Sequence, residues 1–284
     1  MRNTLKIELK KAIHNKYFLI TFTIAIFIAL WSSVHTFQYM NRIQQYLLLI
    51  GNNKNPNHSA DSLYNNWMGG QFGSFPTDLY YFILPLIAAF PYGWSYFQER
   101  KNGYSKNVIC RCGRKNYVLS KYICTFIIGG ITVLLPLIMN YIIVACFVPA
   151  RMPDPCCNIH YAVFGDCMWS NLFYTNPLLY DVCYMILTFV FGGLWATISM
   201  MASYFLKNKF AVLLVPYILL IIFHYGIHSL FAWKIYLEAS PINYIRGVMV
   251  DNISKGWLIL LELFILFIFG FGITLYKGIK DDVY

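Results

Sequence analysis

The chain has 284 residues, of which 58% are hydrophobic and only 12% charged, and its mean hydropathy is positive. Soluble domains carry about a quarter charged residues, so this composition argues against a water-soluble fold. The formal charge of +10 does not point to nucleic acid, because the basic residues lie between apolar runs and not on one face of a soluble module.

Residues 1–16 place Leu5, Leu9 and Ile13 at four-residue spacing, with Lys6, Lys10 and Lys11 elsewhere around the wheel. This pattern predicts an amphipathic helix in the membrane interface, its basic face toward lipid headgroups. The alternative is a charged leader that only orients the next span. Residues 17–34 form the first predicted span, with no clear cleavage site and an apolar core too long for a secretory signal. The polar stretch 35–77 reads as an exposed loop with one short helix over 37–50. Within it Asn57-His58-Ser59 fits a glycosylation acceptor, a short motif with little weight on its own.

The second predicted span, 79–97, contains Pro85 and Pro91, each expected to kink it. A charged loop, 98–122, separates it from the third span, 123–147, which holds Gly129-Gly130, Pro136 and Asn140. An outer loop rich in Pro, Cys and Asn leads to the fourth span, 178–205, with Gly192-Gly193 inside it. A short basic turn precedes the fifth span, 211–231. Residues 232–256 mix apolar and charged side chains and read as a short helix pair at, or dipping into, the outer leaflet. The sixth span is 257–276, and each span suits a hydrocarbon core that needs roughly 20 residues.

With both termini in the cytoplasm, sixteen of the 22 basic residues fall on the inner side and six on the outer, as the positive-inside rule requires. Trp31, Trp233 and Trp257 then lie near outer ends and Trp94 near an inner end. The expected fold is an all-α membrane protein: a single domain, residues 1–284, of six transmembrane helices behind an amino-terminal interfacial helix.

The chemistry is sparse. No G-x-x-x-x-G-K-[ST] phosphate loop, H-E-x-x-H or G-x-S-x-G occurs. Cys110-x-Cys112 has no second pair nearby, so no metal site is expected; Cys156, Cys157 and Cys167 share one loop and could include one disulfide. Inside the spans the notable groups are Asp181, His224 and Glu262, candidates for a substrate path. An intramembrane acid costs about 2.5–3.5 kcal/mol on insertion scales and usually faces a cavity or a partner. Similar depth makes a Glu262–His224 hydrogen bond feasible, whereas Asp181, four residues into its span, is expected to reach interfacial water. No Lys or Arg lies deep in any span, which suits a cationic amphipathic cargo better than an anionic one.

The loop 98–122 sets Glu99 against Arg100, Lys101, Lys106, Arg111, Arg114, Lys115 and Lys121. The order Glu99, Gly103, Arg111, Arg114, Tyr117, Lys121, placed between spans two and three behind a basic interfacial helix, resembles the permease subunit of bacterial ABC transporters of the ABC-2 type, the type V exporter fold. The architecture covers nearly the whole chain, while the motif covers about 25 residues and lacks the family's proline before Arg114. The resemblance implies that Glu99, Gly103, Arg111, Arg114, Tyr117 and Lys121 belong to an ATPase-coupling element. It also implies a separate ABC ATPase that carries ATP and Mg, no cofactor on this chain, and a second permease copy or a paralogue. The expected setting is the lipid of a bacterial plasma membrane, and the expected activity is export of an antimicrobial peptide, lipid or drug. Two other classes stay open: an intramembrane enzyme built on Glu262 and His224, and a membrane scaffold or sensor without transport.

Overall fold

The computed structural model describes residues 2–50, 61–227, 230 and 236–280. The acceptor motif at Asn57 and the anchor Trp233 lie outside the described residues. Among those residues the fold is all-helical, with no strand. Five helices are long and apolar enough to cross a membrane: Lys16–Leu49, Arg114–Ala145, Pro177–Ala202, Lys209–Gly226 and Gly256–Lys280. The chain is a multi-pass membrane protein.

Helix α1 (Arg2–Ile13) forms where the sequence predicts it. Its buried stripe, however, is Leu5, Glu8, Leu9 and Ala12, while Ile13 is half exposed. A four-residue spacing drifts by roughly 40° per step on a 3.6-residue helix, so Ile13 rotates off one edge of the stripe while Ala12 takes its centre and Glu8 its opposite edge. Helix α2 (Lys16–Ile50) runs unbroken through the position where a loop was expected to begin. The polar side chains that suggested a loop hold the helix to its neighbours instead. Thr36 Oγ1 donates to the Asn66 carbonyl and Gln71 Nε2 donates to Thr36 Oγ1, both at 3.3 Å.

A four-residue helix α3 (Leu63–Asn66) precedes the most irregular part of the bundle. The second predicted span is divided into α4 (Phe75–Phe82), α5 (Leu84–Ala89) and α6 (Ser95–Lys101). Pro85 and Pro91 lack an N–H and crowd the preceding turn, which explains breaks rather than kinks here. A neighbour takes up part of the exposed backbone at this break: the Asn15 side-chain amide donates to the Pro91 carbonyl at 3.3 Å. Helix α7 (Tyr104–Cys112) and the long α8 (Arg114–Ala145) follow. Two short helices, α9 (Asn158–Tyr161) and α10 (Ser170–Thr175), lie in the next loop, where no disulfide forms among the described cysteines.

Helix α11 (Pro177–Ala202) is the most buried of the long helices and the axis of the core. It packs on α8 through a reciprocal lock. A Cβ on Gly130 would sit 2.6 Å from the Phe189 ring, and one on Gly193 would sit 2.6 Å from the Phe126 ring. The two phenyl rings meet edge to face at 5.8 Å. Asn140 ties the other side of α8: its amide donates to the Ala29 carbonyl (3.1 Å) and Ser33 Oγ (2.9 Å) and accepts from the Met68 N–H (2.8 Å). Small residues and buried amides are the means by which helices associate where the hydrophobic effect gives little.

Helix α12 (Lys209–Ile221) passes into a π-helical turn, Ile222–Ile227. Among the described residues of the segment that follows, α13 (Pro241–Tyr244) is sunk into the core, not lying on the surface. The last span is α14 (Gly256–Phe267), a second π-helical turn (Ile268–Gly272) and α15 (Ile273–Lys280).

Candidate functional site

The charged loop is not a loop throughout. Tyr117 and Lys121 belong to α8, whose first turn begins at Arg114, and both are fully buried. Lys121 lies two turns inside this helix, just ahead of the span expected from residue 123. It survives there because two carboxylates converge on it. Lys121 Nζ is 2.7 Å from Glu8 Oε2 and 2.8 Å from Glu99 Oε1, and it donates to Tyr92 Oη at 3.0 Å. The phenols of Tyr92 and Tyr117 donate in turn to Glu8 and Glu99.

Lys11, half exposed, closes the group with an ion pair to Glu99. Two acids and two bases therefore balance, and α1, α6 and α8 are joined through side chains alone. Burial pushes the Glu99 carboxyl up, but the Lys121 charge and hydrogen bonds from Lys11, Lys121 and Tyr117 outweigh it and hold the group below the usual carboxylate range. For Lys11 burial pulls the ammonium down, and the Glu99 hydrogen bond and charge more than reverse it.

Helix α7 stands directly on this cluster. The Lys11 ammonium lies 4.3 Å over the ring of Tyr104, the first residue of α7. Gly103 and Gly113 bound the helix with φ of 70° and 78°, the left-handed region that side chains avoid. Those turns let α7 leave the directions of α6 and α8. Its inner face, Ser105, Val108, Ile109 and Cys112, packs toward Tyr96, Tyr117 and Tyr204. Its outer face presents Lys106, Asn107, Cys110 and Arg111 to solvent. Arg114 turns away from that face and donates to the Ile279 carbonyl at 2.8 Å, a cation at the open end of α15.

The six residues of the predicted coupling element thus divide. Glu99, Tyr117 and Lys121 are buried together, Gly103 sets the turn, Arg111 is exposed and Arg114 clamps the last helix. Glu8, Lys11 and Tyr92 complete the cluster and were not singled out from the sequence. A signal for Glu8 exists: it is the lone acid among the first sixteen residues and lies next to Leu5 and Leu9 on the wheel.

The three residues proposed for a substrate path do not meet. Asp181 is 1% exposed and does not reach interfacial water; it faces the Trp67 indole and the Tyr141 hydroxyl in the core, because the outer loops and α3 cover the start of α11. Glu262 is not paired with His224. It accepts a hydrogen bond from Tyr244, while His224 Nδ1 lies 2.7 Å from Ser240 Oγ. The sunken segment around α13 inserts between the two helices and supplies both partners. That segment is itself anchored by Arg246, which is 5% exposed, pairs with Asp78 and lies 4.9 Å over the Tyr81 ring. Among the described residues no three His, Cys, Asp or Glu side chains converge to hold a metal ion.

Residues 4–175 match the family model described as "ABC-2 family transporter protein". No curated protein and no solved structure matches the chain.

Proposed function

The chain belongs to the ABC-2 transporter family, and from that premise we propose that it is the membrane-spanning permease subunit of an ATP-driven transporter. In this reading a separate ABC ATPase binds ATP and Mg, and the chain itself is not a catalyst. The observation that carries the coupling is the two-sided build of α7. Its inner face is packed, its outer face of Lys106, Asn107, Cys110 and Arg111 is polar and exposed, and its base rests on the Glu8–Lys121–Glu99 cluster. A push on α7 would move α1, α6 and α8 as one body, since buried ion pairs resist separation.

The rest of the reading follows from this orientation. The face of α7 is cytoplasmic, as are both termini, α1 lies in the membrane interface, and residues 79–97, through α4, α5 and the start of α6, form a broken sixth crossing that ends before Glu99. Two permease copies, or this chain and a paralogue, act on one pair of ATPases. The cargo is amphipathic, of the class of antimicrobial peptides, lipids or drugs, and moves outward across a bacterial plasma membrane. The separation of Glu262 from His224 removes the support for an intramembrane enzyme.

The test is co-purification with the ATPase subunit in mild detergent. The double substitution Asn107→Asp, Arg111→Glu alters only the exposed face of α7, so it should abolish association while the chain remains folded. Undiminished association would overturn the coupling role of α7.

A further inference from the structure

The last three long helices enclose an apolar cavity of about 340 Å³. Trp195 of α11 lines one wall, Phe223 another and Phe269 a third, with Pro241 of the sunken segment beside them. Two observations distinguish it from an ordinary packing gap. Phe223 and Phe269 both lie in π-helical turns, one in each flanking helix. A π turn gives up regular i→i−4 bonding and recurs where a helix is shaped for a site. Two facing the same cavity are a costly coincidence for mere packing.

The second observation is Glu262, the one charged residue in the lining and itself nine-tenths buried. The Tyr244 hydroxyl occupies Oε2, and Oε1 accepts no hydrogen bond from the described residues. A carboxylate oxygen left without a donor in apolar surroundings is expensive. Glu238, also buried, is close enough to add to the negative potential at Glu262, and among the described residues no Lys or Arg lines the cavity.

We propose that this cavity binds a lipophilic primary amine in its protonated form. The alkyl chain lies against Phe223, Phe269 and Trp195, and the ammonium donates to Glu262 Oε1. Charge complementarity selects a cation. The need for an N–H donor at Oε1 selects a primary amine over a quaternary ammonium, which has none. The site lies within one chain, so it stands whether or not α7 couples to an ATPase.

The test uses 12-bromododecylamine, whose bromine quenches nearby indoles, titrated into the full chain in detergent against 12-bromododecanol and the trimethylammonium analogue. Quenching by the amine should saturate at concentrations lower by about tenfold or more than for the alcohol, with the trimethylammonium compound between them, the margin expected of a charge-assisted bond. Trp195→Phe should remove most of the saturable component and leave the other six tryptophans unaffected. Glu262→Gln should bring the amine to the alcohol's level. Equal binding of amine and alcohol to the wild-type chain would overturn the proposal without recourse to any variant. So would quenching that survives Trp195→Phe, or amine affinity that survives Glu262→Gln.

Discussion

Lys121 and Glu8, 113 positions apart in the chain, meet at 2.7 Å with both side chains buried. The same ammonium lies 2.8 Å from Glu99, so one cation separates two carboxylates. Replacing it leaves buried Glu8 with no cation and Glu99 with the half-exposed Lys11 alone. Lys121→Met should therefore cost about 3–5 kcal/mol, the range for breaking a buried pair from one side. Thermal unfolding in detergent measures it. Adding Glu8→Gln to Lys121→Met should restore part of the loss, because the double variant removes one of the stranded charges. An unchanged melting temperature in Lys121→Met would show that the cluster is not under this constraint.

The cluster also predicts the response of α7 to acid. Glu99 has a folded value lowered from 4.5, so its contribution is complete above about pH 4.5 and disappears as pH falls through the lower folded value. Acidification should loosen α7 before the glycine-locked core of α8 and α11. Hydrogen exchange of α7 amides, followed from about pH 7 to about pH 3 and corrected for intrinsic rates, should show protection falling at the acid end. Glu99→Gln should flatten that profile. Protection that rises on acidification would reverse the assigned sign.

The α8–α11 contact offers a contrast between neighbouring glycines. A Cβ on Gly193 would press on Phe126 ring carbons at 2.6 and 2.7 Å and on the Phe126 carbonyl at 2.9 Å, so ring and backbone must both yield. At Gly192 the nearest atom is Val133 Cγ2 at 3.1 Å, which has room to shift. Gly193→Ala should destabilise by about 1–3 kcal/mol, with Gly192→Ala well below it. Equal melting temperatures for the two variants would count against the lock.

Much of the bundle was legible because apolar runs between basic clusters leave few alternatives in lipid. The long helices and α1 follow from hydropathy alone, and the Gly-Gly pairs pointed to close contact. That the short helix expected over 37–50 continues the first span was not legible, since Thr36 and Gln71 look alike in sequence whether they face water or each other. The charge cluster was half legible. Glu99 and Lys121 were singled out by the motif they resemble, but which residues neutralise them depends on the docking of α1, a contact across the whole first half of the chain. The sunken segment around Tyr244 escaped because its polar residues read as an outer loop, whereas Arg246 finds Asp78 168 positions away and Tyr244 finds Glu262 in the next helix.

That segment yields the last prediction. Arg246 is buried, stacked over Tyr81 and paired with Asp78, whose own side chain is 53% exposed. The pair joins the segment between the last two long helices to the start of α4, and the same segment supplies Pro241 to the lining of the apolar cavity. Asp78→Ala should release Arg246 from its carboxylate at a cost of about 1–3 kcal/mol, moderated by solvent at the Asp78 end. The effect should be local: proteolysis within 236–256 should accelerate while α8 and α11 keep their exchange protection. Asp78→Glu should restore most of the resistance, whereas Arg246→Lys should not, because an ammonium loses the planar stack on Tyr81. If Arg246→Lys protects the segment as well as the wild type does, the stacked guanidinium is not what holds it.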